Sequence, residues 1–317
     1  MPAIKRLLIL LLLSLSHTIS NAQVSFSGNE FPDEDFLRLK KTTTLFSFQY
    51  MDYKELENFE QALKKSWTIT PYKIVQPQEL FKYAGDSAYS YFYFDGFVST
   101  AEDAKNVNVF YLLKLSKPES KTELVLGSIA LYPDFISTEL IKSIDNELMS
   151  KKNKRSKMLN LFYNESQFYN WSPGFLAGYL KQINEGLLSK GTQSPDYGFY
   201  NRKQLPKLAT DTLYVPKYIR ESFSSASARQ PLNTTTEISE PYRYKLKFVS
   251  VHDLDSLILK SKDPIKYIVY TQQATNKIIS IYNSENNQII YQKYVPGSFN
   301  FEMSDLNEIR KIIVGIP

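Results

Sequence analysis

The alternation of apolar and polar positions is clearest between residues 43 and 94. Leu56, Phe59 and Leu63 recur at i, i+3 and i+7, and Trp67 follows at i+11, which predicts a helix over 54–66 with one buried stripe. Asp52, followed three residues on by Glu55, reads as the capping box of that helix. Glu55, Glu57 and Glu60 precede Lys64 and Lys65, the order a helix dipole favours. The flanking stretches 44–50 and 68–75 read as strands, and a helix of this length between them predicts parallel pairing. A short helical turn then leads to an aromatic strand over 89–94, followed by a turn at Asp95-Gly96.

Further along, 107–115 and 123–131 read as two strands joined by the polar loop 116–121. Leu140, Ile141, Ile144 and Leu148 define a helix over 137–149. Ser172-Pro173 is a cap and first-turn pair opening a second helix through Leu176, Tyr179, Leu180, Ile183 and Leu187, closed by Gly191. Gly174 and Gly178 on it predict close packing against another helix. Between the two helices, Phe168, Tyr169 and Trp171 read as cover for a core edge, with sugar stacking as the sharper alternative. Residues 191–208 form a Gly- and Pro-containing boundary, 212–215 a strand, and 222–240 a long polar loop.

An echo of the first unit follows. Tyr72-Lys73-Ile74-Val75-Gln76-Pro77-Gln78-Glu79-Leu80 aligns without gaps on Leu246-Lys247-Phe248-Val249-Ser250-Val251-His252-Asp253-Leu254. Each copy precedes an aromatic strand, Tyr91-Phe92-Tyr93-Phe94 in one and Tyr267-Ile268-Val269-Tyr270 in the other. A hairpin over 277–294 and a helix over 304–313 close the chain, but the second half has no evident counterpart of the helix over 54–66. The predicted fold class is therefore α+β (α/β-like): two mixed-sheet units, a candidate duplication, joined by a helical insert. The expected divisions are 1–22 signal peptide, 23–42 exposed lead-in, 43–134 first unit, 135–205 insert and 206–317 second unit.

Composition narrows the function. Lys5 and Arg6 followed by the run Leu7–Leu15, broken only by Ser14, and then by Ser20-Asn21-Ala22, predict a cleaved secretory signal. The run is too short to cross a bilayer comfortably, and no later stretch is long and apolar enough. No cysteine stands at the cleavage site, so a lipoprotein anchor is excluded and the expected location is the periplasm or the cell surface. Removing 1–22 takes away Lys5 and Arg6 and no acid, lowering the net charge from +5 to +3, which argues against a dedicated nucleic-acid surface. The basic run Lys151-Lys152-Asn153-Lys154-Arg155-Ser156-Lys157 reads as a solvated helix end or loop, with contact to anionic lipid or polysaccharide as the alternative.

The absence of cysteine removes thiol nucleophiles, zinc–thiolate sites and iron–sulfur clusters. His252 is the single histidine after residue 22, and its neighbour Asp253 diverges from it, so a Ser-His-Asp triad is not in view. No Gly-x-Ser-x-Gly elbow and no phosphate-binding glycine loop occurs. The densest acidic cluster, Asp33-Glu34-Asp35, reads as solvated charge, and a carboxylate pair such as Glu123 with Asp134 carries no signal alone. No catalytic, cofactor-binding or metal-binding residue is assigned, and no cofactor is expected.

The pattern Tyr267-Ile268-Val269-Tyr270-Thr271-Gln272, Thr275-Asn276-Lys277, Asn283-Ser284 and Ile289-Ile290-Tyr291, with a signal ending Asn21-Ala22-Gln23, resembles uncharacterised exported proteins of the Bacteroidetes. The resemblance implies a compartment and no mechanism. Asp86-Ser87-Ala88, Asp211-Thr212-Leu213 and Asp255-Ser256-Leu257 match the short O-glycosylation acceptor pattern associated with that phylum, and each equally suits a turn or cap. The expected function is an exported, non-enzymatic envelope protein that binds another protein through its aromatic sheet or helical insert. The alternative is a carbohydrate-binding or carbohydrate-active module built on Trp67, Trp171 and nearby tyrosines.

Overall fold

The computed structural model describes residues 23–315 apart from 29–30, 84, 102–103, 118–121, 194–197, 224–228, 232–241 and 299. The expected signal segment 1–22, residues 118–121 of the first hairpin loop and much of the loop 222–240 lie outside the described residues.

The first sheet contains β1 (Val24–Ser27), β2 (Thr43–Phe46), β3 (Tyr72–Ile74), β4 (Tyr89–Ala101), β5 (Ala104–Lys117), β6 (Thr122–Leu131) and β7 (Thr192–Gln193), in the order β3-β2-β4-β5-β6-β1-β7. β2 runs parallel to both β3 and β4, and the remaining pairs are antiparallel. The second sheet contains β8 (Phe199–Tyr200), β9 (Leu213–Pro216), β12 (Leu246–Val249), β13 (Lys266–Gln273), β14 (Asn276–Asn283) and β15 (Gln288–Val295), in the order β12-β9-β13-β14-β15-β8. β10 (Glu221–Phe223) and β11 (Arg229–Pro231) pair separately. The α-helices are α1 (Asp33–Lys41), α2 (Leu56–Ser66), α3 (Phe135–Asn146), α4 (Lys151–Asn164), α5 (Pro173–Leu188), α6 (Val251–Lys260) and α7 (Met303–Ile313).

The two sheets share one plan. Apart from the short strands β1, β7 and β8, the first strand of each unit (β2 or β9) lies between the second (β3 or β12) and the third (β4 or β13), all three parallel, and the third opens an antiparallel meander of three strands followed by a helix. The aligned nonapeptides contain β3 and β12, the equivalent outer strands. α2 connects β2 to β3, whereas the described residues between β9 and β12 hold only a 3-10 turn, Lys217–Arg220, and the β10–β11 pair. The α+β architecture with two mixed-sheet units is thus what the chain adopts.

α5 joins the units. Ser172 caps it by accepting from the Phe175 amide at 3.3 Å, and Pro173 occupies the first turn. Its residues are buried on nearly every side, with Glu185 and Leu188 exposed and Lys181 half-buried. A Cβ on Gly178 would fall 2.8 Å from the Tyr282 ring of β14, and one on Gly174 would fall 2.5 Å from the Asp255 carboxylate of α6. The close approach predicted for this glycine pair therefore meets one helix and one sheet. Gly186 is tighter still, with the Phe26 ring of β1 standing 2.1 Å from where a Cβ would be.

Three expectations change. Residues 23–42 are not an exposed lead-in: Val24 is fully buried in β1 against β6, and Leu39 of α1 is fully buried too. The polar look of this stretch comes from the short period-two alternation of β1 and from an amphipathic helix whose charged face is solvated. Asp95-Gly96 is no turn but the middle of β4, where Gly96 is required by close packing. A Cβ there would fall 2.6 Å from the Asn108 carbonyl and 2.9 Å from the Phe162 ring. The capping box lies three residues earlier than expected, with Gln49 as the cap and Asp52 as its third residue, accepting from the Gln49 amide at 3.0 Å at the head of the 3-10 turn Tyr50–Glu55, after which α2 begins.

Candidate functional site

β4 alternates Phe92 and Phe94 into the core with Tyr91, Tyr93, Asp95 and Phe97 on the outer face. β2 accompanies β4 only as far as Phe92, where Phe46 is its partner. Beyond that point no described strand pairs with this edge of β4, and α4 lies along it, the Tyr163 hydroxyl accepting from the Phe94 amide at 3.3 Å. α4 thus forms one wall of a trough whose floor is the outer face of β4, β5 and β6.

A row of charges crosses this floor. Arg155 of α4 donates to Asp95 of β4 at 2.8 Å. Lys114 of β5 lies 3.3 Å from the same Asp95 oxygen and 3.2 Å from Glu123 of β6. The Lys114 ammonium also stands 4.8 Å from the centroid of the Tyr93 ring. The register shift at Leu113/Lys114 sets Lys114 opposite Val125 and brings it beside the start of β6. Only 10% of the Lys114 side chain is accessible. Burial by itself lowers the Lys114 ammonium, but Tyr93, Asp95 and Glu123 outweigh it and hold the group above its ordinary value.

Cavities lie on both sides of the row. One of about 690 Å³ is floored by Phe97, Phe110, Leu112 and Val125 and walled by Met158, with Lys151 and Lys154 among its lining. The other, about 400 Å³, is bounded by Tyr50, Leu80, Tyr91, Tyr93, Leu159 and Tyr163. Both fall in the range of ligand-receiving clefts, and each combines an apolar floor with a few placed polar groups. Val125 is 44% exposed, an uncovered apolar side chain in the middle of the floor. A third hollow of about 940 Å³ lies between α7 and the 3-10 turn Leu205–Ala209. Its acid Glu308 is already paired with Lys293.

A second concentration of ionisable groups holds the head of α5. Asp52 accepts from the Trp171 indole at 2.9 Å, and Asp255 of α6 accepts from the Ser172 hydroxyl at 2.6 Å and the Gly174 amide at 3.0 Å. Carboxylates from opposite units therefore hold consecutive residues. Burial pushes each up to about 7, outweighing the hydrogen bonds that favour the charged form, and Glu55 adds a smaller push to both.

The residues singled out from the sequence do not converge. His252 is exposed on α6, and Asp253 bonds the capping Ser250. Asp134 caps α3 through the Ser137 amide and is not part of the charge row that contains Glu123. Asp33 pairs with Lys190, while Asp35 is buried and meets Arg38. Trp67 and Trp171 are 3% and 8% exposed, so neither indole offers a face to a sugar. The basic run is the solvated helix end it was expected to be, the first two turns of α4.

Sequence reasoning missed Asp95, Lys114 and Arg155. The available signal was Lys114 itself, a cation interrupting the apolar run from Val109 to Leu115. No protein-family model, no curated protein and no solved structure matches this chain.

Proposed function

We propose that this is a non-enzymatic binding protein, exported to the cell envelope, whose outer trough receives a segment of another protein. The carrying observation is the trough itself, where an aromatic sheet face and the helical insert meet, with a cavity on either side of the charge row and Val125 uncovered on the floor of the first. Binding suits the charge row better than catalysis does. Lys114 is held protonated and so has no free electron pair for attack, and its two carboxylate neighbours face cations. A paired, internally neutral row on an apolar floor fixes the register of an incoming chain without demanding a buried lone charge.

Photo-crosslinking tests the reading. A benzophenone amino acid placed at Val125 is expected to capture a discrete envelope protein that the same group at Leu188, exposed at the end of α5, does not. Equal capture at both positions, or none at Val125, overturns the proposal.

A further inference from the structure

The trough's chemistry also specifies what it receives, an inference that rests on the trough being the binding site. We propose that the partner segment sets a bulky apolar side chain beside an acidic group, the first entering the cavity over Val125 and the second meeting Lys151 and Lys154.

The charges around that cavity do not balance. Its lining holds Asp95 and Asp145 against Lys151, Lys154 and Arg155. Both acids are already engaged, Asp95 by Arg155 and Lys114 and Asp145 by Lys105. Lys154 donates to the Asp145 backbone carbonyl, a dipole and not a counter-charge. Lys151 has no ion pair among the described residues and is exposed. Among the described residues the rim is therefore left with cations and no available acid.

The position of these cations adds a second argument. They occupy the opening turns of α4, whose first turn contains no acid, so lysine charge and the positive end of the helix dipole coincide. That arrangement is unfavourable in the free protein and is relieved by an anion bound beside it. The apolar part of the cavity lies directly alongside, floored by Phe97, Phe110 and Val125 and walled by Met158. An apolar anchor and a carboxylate within one short segment satisfy both surfaces together, whereas an anion alone leaves Val125 uncovered and an apolar side chain alone leaves the lysines unpaired.

The test uses a random twelve-residue peptide library displayed on phage, panned on the folded protein and counted against two variants. Val125→Arg fills the floor with charge at a side chain already partly exposed, and Lys151→Glu with Lys154→Glu reverses the rim. Circular dichroism confirms that each variant is folded before use. The expected winners place Asp or Glu close to Leu, Ile or Phe. As synthetic peptides they fail to bind Val125→Arg, bind the double glutamate variant at least tenfold more weakly, and lose affinity with added salt. Winners that require Val125 yet are indifferent to the charge reversal overturn the acidic assignment and leave the trough reading standing. A library in which no winner distinguishes the wild type from Val125→Arg overturns both.

Discussion

Gln23 donates its side-chain amide to the Thr271 hydroxyl at 3.0 Å, joining the residue before β1 in one sheet to β13 in the other. The same amide donates to the Tyr179 hydroxyl of α5 at 2.9 Å, and Tyr179 donates in turn to the Asn170 carbonyl at 2.9 Å. Asn170 closes the ring by donating to Thr271 at 2.9 Å. All four side chains are fully buried, so each polar atom relies on the others in place of water.

Gln23→Ala removes two donors from this ring and leaves buried acceptors under-satisfied. A loss of about 1–3 kcal/mol is expected. Urea unfolding followed by circular dichroism measures it, and a change too small to resolve would show that the ring contributes nothing to joining the units.

Asp52 and Asp255 give the protein a distinctive pH response. Each holds its proton more tightly when folded, at about 7, than at the ordinary value of 3.8. The native state therefore binds more protons across that interval, and stability falls as pH rises through it. Asp305, raised by burial, acts in the same direction. The melting temperature is expected to be higher at pH 5 than at pH 8, and Asp52→Asn with Asp255→Asn should narrow the difference. A profile that rises toward pH 8 refutes the assignment.

Lys277 and Asp305 form an ion pair at 2.7 Å, their side chains only 2% and 4% accessible. Lys277 also donates to the Asn300 carbonyl at 2.7 Å. Removing one partner strands a buried charge, so Lys277→Met or Asp305→Leu alone is expected to cost about 3–5 kcal/mol, and the double substitution much less. A double-mutant cycle by chemical denaturation decides between this coupling and simple additivity.

Neither tryptophan should report on sugars. Trp67 donates its indole to Thr70 at 2.9 Å and Trp171 donates to Asp52, both inside the aromatic core with Phe92, Tyr111 and Phe94. Emission is expected to be blue-shifted, resistant to acrylamide until unfolding, and unchanged by soluble glycans. Saturable quenching by a glycan would restore the carbohydrate alternative.

Much of the fold was legible because local signals agreed with tertiary need. The Ser172-Pro173 start, the period of Leu56, Phe59 and Leu63 and the hairpin over 277–294 all hold within a few residues. Asp95-Gly96 misled because the pair suits a turn, and only the packing of Phe162 over Gly96 explains a glycine in mid-strand. The trough could not be read at all. Lys114 and Glu123 look like ordinary outward positions of half-buried strands and Asp95 like part of a turn, and their convergence depends on cross-strand register and on a bulge. Arg155 joins them only because β2 ends early and leaves an edge for α4 to cover.

The enclosure of α5 has a consequence for how this polypeptide can be divided. Phe175, Tyr179 and Ile183 are covered by material from both halves. Severing the chain beyond residue 190 leaves the helix attached to one piece with its other flank wet, and severing it before 170 strands it on the opposite piece. Truncated products are then expected to aggregate singly and to regain order when co-expressed, behaving as complementary fragments of one folding unit.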